Sequence, residues 1–89
     1  MNGDFLQRQA KAFAERVRRE VGAPQGDDTP DHVRRALEIA LVRPATADEI
    51  AAGTTLIDNL EGQDGVGPSR ALEIYCLMVL NLNEFAYLD

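Results

Sequence analysis

The sequence is poor in several chemically informative residues. It has one cysteine, one histidine and no tryptophan in 89 residues. A single cysteine excludes an intrachain disulfide and any multi-thiolate zinc or haem motif. A single histidine has no companion set with which to act as general base or metal ligand. Basic charge is also scarce: 9 Lys and Arg stand against 15 Asp and Glu, a net charge of −6. That sign disfavours a dedicated nucleic-acid binder. No apolar run approaches the roughly 20 residues that span a bilayer, and no basic–apolar–small-residue leader opens the chain. The expectation is therefore no membrane insertion, no metal and no cofactor.

What is present reads as one helical domain over residues 1–89. Hydrophobic residues make up 45%, enough for a modest core and against disorder. Residues 4–21 place Leu6, Ala10, Phe13, Ala14, Val17 and Val21 on one stripe at helical spacing. Asp4 or Asn2 caps that helix, and Gly22 ends it. Residues 22–29 form a loop by composition. Thr29 as N-cap with Pro30 behind it opens a second helix to about Leu41, burying Val33, Leu37, Ala40 and Leu41. Pro44 stops it. Thr46 and Glu49 have capping-box spacing and open a third helix to about Leu60, with Ile50, Leu56 or Ile57, and Leu60 inward. Gly53 within it suggests a close helix crossing. Residues 61–67 read as a flexible connector.

The last helix starts near Pro68 or Ser69. Ile74 to Leu80 are seven unbroken apolar residues, the pattern of a helix buried on nearly every side. The predicted fold is all-α: a small bundle of four helices around that apolar C-terminal helix. Leu80 is expected at its centre, with Phe85, Tyr87 and Leu88 closing one end. Truncating Leu80 to alanine is then expected to cost about 2–5 kcal/mol.

Several motif readings weaken on inspection. Gly65-Val66-Gly67 before a helix lacks the preceding strand and third glycine of a dinucleotide loop, and Pro68 removes a needed N–H. Asp58, Glu61 and Asp64 lack calcium-loop order, since Leu60 and Ser69 occupy the third and twelfth positions. His32 reads as a solvated surface residue, and Cys76 as an inert buried thiol. Asn81 and Asn83 follow the apolar run and read as partners for carbonyls at the helix end. Charge is uneven: residues 1–43 carry 8 bases and 7 acids, residues 44–89 one base and 8 acids. Arg16, Arg18, Arg19, Arg34 and Arg35 would make a basic patch if the first two helices are neighbours. No aromatic residues interleave with them to stack bases, so pairing with acidic groups or solvent is the plainer reading.

Four pieces recur together in a recognisable order. They are Asn2-Gly3-Asp4-Phe5 leading into Gln9-Ala10 and Phe13-Ala14-Glu15-Arg16; Arg43-Pro44 before Thr46 and Glu49; Ala71-Leu72; and the closing Leu80 to Tyr87. In these the chain resembles the C-terminal segment of large planctomycete proteins of unknown function that are often fused to cytochrome c-type modules. Ala45 departs from the pattern, where the family often has a second proline. The haem-attachment motif of the fused modules is absent, so no haem is carried over, and no catalytic or binding residue is either. The resemblance implies a non-catalytic helical packing or interaction domain, terminating a longer exported, periplasmic or envelope-associated polypeptide. Its partners would be upstream domains of the same chain or another protein, and the isolated fragment would tend to homo-oligomerise. The alternative is a free-standing adaptor binding an acidic protein through Arg16, Arg18, Arg19, Arg34 and Arg35. An enzyme is not expected, because no nucleophile–base pairing has a signalled spacing.

Overall fold

Helix signals along the chain become four helices in the computed structural model, which describes the backbone of residues 3–87 and the side chains of residues 3–82. They are α1 (Gly3–Val21), α2 (Thr29–Leu41), α3 (Ala47–Gln63) and α4 (Pro68–Tyr87), with no strand among the described residues. The all-α bundle expected from the sequence is the observed fold. Its radius of gyration is 12.3 Å, against about 12 Å for a compact chain of this length.

The apolar stripe of α1 packs its Leu6, Ala10, Ala14 and Val17 inward, with Phe13 and Val21 at the margin. Ala10 and Ala14 are small, which lets α1 lie close along α4, its most extensive neighbour. The helix begins at Gly3, so Asp4 lies within the first turn rather than at the cap. Gly22 ends it as expected, at φ +116° with its N–H donated to Arg18 O at 2.8 Å.

The start of α2 differs from expectation. Asp28, not Thr29, is the N-cap, and Thr29 is a buried first helical residue ahead of Pro30. The Asp28 carbonyl accepts the first helical N–H groups, from Asp31 and His32. Its carboxylate instead turns back to accept the Gln25 N–H at 3.0 Å. His32 is a second correction: it is 2% exposed rather than solvated. Its ring faces inward because backbone carbonyls on both sides of the loop receive it. The helix ends at Val42, whose φ of 54° and ψ of 38° place a β-branched residue in the left-handed region. Pro44 keeps Arg43 out of the α region, so the reversal falls one residue earlier.

At α3 the expected capping box forms in full. Thr46 Oγ1 accepts the Glu49 N–H at 3.1 Å and Glu49 Oε1 accepts the Thr46 N–H at 2.9 Å. The helix runs to Gln63, not Leu60, because Gly65 rather than Gly62 terminates it. Gly65 takes φ +66°, and the Asp64 and Val66 N–H groups both reach back to Leu60 O at 3.2 Å, which closes the helix end on a left-handed glycine. The connector thus shrinks to the four residues 64–67.

In α4 one stripe is buried: Ala71, Leu72, Tyr75, Cys76 and Val79. The expectation that nearly every side is covered does not hold. Met78 is 39% and Leu82 69% exposed, and Leu80 is only half-buried, with Val79 taking the central place. The reason is shared coverage. Both α2 and α4 touch all three other helices, while α1 and α3 do not meet among the described residues. The core therefore gathers on the inward stripe of α4, against which α1, α2 and α3 all bury side chains, and one flank of α4 is left open. The expected closure by Phe85, Tyr87 and Leu88 lies outside the described side chains.

Candidate functional site

The open flank of α4 forms one wall of a groove. Met78 and Leu82, one turn apart, face Ala52 and Leu56 of α3 and Leu37 and Leu41 of α2 across it. Tyr75, Val79 and Gly53 make the floor, and the volume is about 300 Å³. Gly53 is required there: a Cβ would lie 2.6 Å from Val33 Cγ1 and 2.7 Å from the Tyr75 hydroxyl. The close crossing expected at this glycine is thus observed, and it brings α3 down onto α2 and α4.

Two groups in the lining can ionise, and neither offers a free charge. Glu49 is engaged on both oxygens, by Arg43 Nη1 at 3.0 Å and Nη2 at 2.8 Å, besides its cap bond. The Arg43 hydrogen bonds, with the Thr46 N–H next, hold its carboxyl down to about 2. Burial pushes the Tyr75 phenol up to about 12, and the nearby Glu49 charge adds to this. At neutral pH the groove is apolar, with one compensated carboxylate and one neutral hydroxyl. Such a lining suits apolar side chains.

The arginines singled out in the sequence have different surroundings. Arg16 and Arg35 converge on one carboxylate: Arg16 Nε bonds Glu20 Oε2 at 2.8 Å and Arg35 Nε bonds Glu20 Oε1. These bonds keep the Glu20 carboxyl below its ordinary range, Arg16 contributing most. Arg35 also reaches Glu38 at 3.4 Å, and Arg34 pairs with Asp31 at 3.2 Å. Arg18 is half-buried, and its Nη1 has no hydrogen-bond partner among the described residues. Arg19 is exposed and makes no ion pair among them. With Arg16 it rims a second, wider hollow of about 430 Å³ over Phe13, Ile39 and Leu80. The structure thus ties Arg16 and Arg35 together through Glu20 and leaves Arg19 as the unpaired cation of the five at that rim.

Cys76 is fully buried, and burial pushes its thiol up to about 12 against the opposing charge of Arg18. It is a protonated core residue at neutral pH. Asn81 is exposed, and the side chain of Asn83 lies outside the described residues. No group of three or more metal-ligating side chains gathers among the described residues, and no helix there is long and apolar enough to cross a membrane.

The groove was not assembled from the sequence. Its signal is the wide apolar face of α4, to which Met78 and Leu82 belong, but in a sequence a surplus of apolar residues looks the same as core. Comparisons with protein-family models, with curated proteins and with solved structures give no match.

Proposed function

We propose that this is a non-catalytic helical packing and interaction domain whose α2–α3–α4 groove receives the apolar face of a helix from elsewhere in a larger polypeptide. The observation that carries the reading is the groove itself: Met78 and Leu82 stand exposed on a wall whose only carboxylate is already bound by Arg43. An occupant with charge on its contacting face would lose hydration there without gaining a partner. An apolar stripe at helical spacing loses nothing and buries area on both sides. The residue pieces shared with the C-terminal segments of large planctomycete proteins support the same reading, with the domain terminating an exported or envelope-associated chain.

The surface test uses the 89-residue chain without its partner. Sedimentation equilibrium should show self-association, and an apolar fluorescent dye should bind. The variant carrying Met78→Glu and Leu82→Glu should lose both while keeping its helical spectrum, since these side chains lie outside the core. A wild-type chain that stays monomeric and binds no dye would overturn the groove assignment. The parentage is tested by the mass of the native polypeptide in source cells. A band far above 9.8 kDa is expected, and one at that mass would remove the larger chain.

A further inference from the structure

His32 has two ring nitrogens, and each meets a backbone carbonyl. Nε2 lies 2.6 Å from Gly22 O and Nδ1 lies 2.9 Å from Asp28 O. A neutral imidazole carries one N–H, so it satisfies one carbonyl and turns a lone pair toward the other. Only the imidazolium donates to both. With the residue 2% exposed, water has little access to relieve the unmatched pair, and such a buried mismatch is costly.

The charges around the ring come from several elements. From the loop, Asp28 Oδ1 stands 3.7 Å from Nδ1. From α3, Glu61 lines the small cavity that His32 shares with Pro24, Thr29 and Ile57. From α1, Gly22 presents the negative end of the helix, while α4 contributes uncharged Pro68 and Leu72. The positive N-terminal end of α2 opposes a cation, and Asp31 in the same turn is paired with Arg34. Acidic groups and carbonyls outnumber the opposing end.

We propose that His32 is a proton-operated clasp, its imidazolium bridging the Gly22 and Asp28 carbonyls to lock the 22–28 loop between α1 and α2, and its deprotonation releasing that loop. The lone pair left facing a carbonyl at under 3 Å is repulsive, and one side must move. The loop yields, because it holds the glycines at positive φ, Gly22 and Gly26, while the ring is walled by Ile57 and Leu72. Movement of Asp28 also breaks its bond to the Gln25 N–H, so that amide reports the clasp. The reading stands independently of the groove.

The test is made on the whole chain by nuclear magnetic resonance. At about pH 5.5 the ring of His32 should show an N–H at both nitrogens. Between about pH 5.5 and about pH 8.5, protection of the Gln25 amide, corrected for intrinsic exchange, should fall about tenfold. His32→Gln should make that profile flat. A folded ring with a single N–H at the lower pH overturns the proposal, as does unchanged Gln25 protection, or the same fall in the variant. Should the variant not fold, the wild-type titration decides alone.

Discussion

Gly53 shows how much one absent Cβ decides. Its neighbours cannot retreat easily, since Val33 is fully buried and Tyr75 nearly so. Gly53→Ala gains up to about 1 kcal/mol of helix propensity, but overpacking of this kind costs about 1–3 kcal/mol. The expected outcome is a lower urea midpoint. Gly62→Ala in the same helix meets nothing within 4 Å and should raise it. Equal gains at both sites would mean that α3 does not approach so closely. A glycine inside a helical pattern was legible as a crossing point, whereas its partners Val33 and Tyr75 were not, being 20 and 22 residues away along the chain. His32 reads as solvated from the sequence, yet is enclosed, for a related reason. Its partners are backbone carbonyls, which every residue carries, so no side-chain pattern marks them.

Among the elements, α3 has the start most fully specified locally. Arg43, Thr46 and Glu49 form one hydrogen-bonded unit, and Arg43 Nη1 also donates to Pro44 O at 2.9 Å. Together they set the entry to the helix. The Glu49 carboxyl is lowered from 4.5 to about 2. Its pairing therefore contributes fully above pH 4.5 and is lost as pH falls from there toward about 2. Circular dichroism across that acid range should show helix loss in the wild type that is smaller in Glu49→Gln, which is already weakened at neutral pH. Parallel acid profiles would show that the cap adds nothing. The box was legible because both partners lie within four residues. The width of the buried face of α4 was not, because it depends on how many helices arrive.

At the scale of the whole molecule, Cys76 is a built-in reporter. It sits in the core at 0% exposure with its thiol pushed up to about 12. Labelling by a thiol reagent near neutral pH should therefore proceed only through opening of the core. The rate should follow global stability, rising in Gly53→Ala and staying unchanged in Met78→Glu if that variant retains its stability. Fast labelling of the native chain would mean that α4 separates from the bundle on its own. The uneven charge of the two halves is partly resolved within the first half, since Glu20 joins Arg16 of α1 to Arg35 of α2. Sequence alone could name those arginines but not the carboxylate they share.

The sequence by itself determined four helices, their order and most of their ends, because caps, glycines and prolines act on neighbours within a few residues. It also determined the apolar stripe of α1 and the burial of Cys76, which follow from helical spacing and from a long apolar run. Only the tertiary structure decided which stripe of α4 the other helices cover, that Leu80 is marginal, that His32 is enclosed, and that Met78 and Leu82 border an open groove. Those outcomes depend on which surfaces meet at long range, and hydrophobic burial is non-directional. An apolar pattern states that a face is to be covered, and the packing of the other helices settles which part of it is.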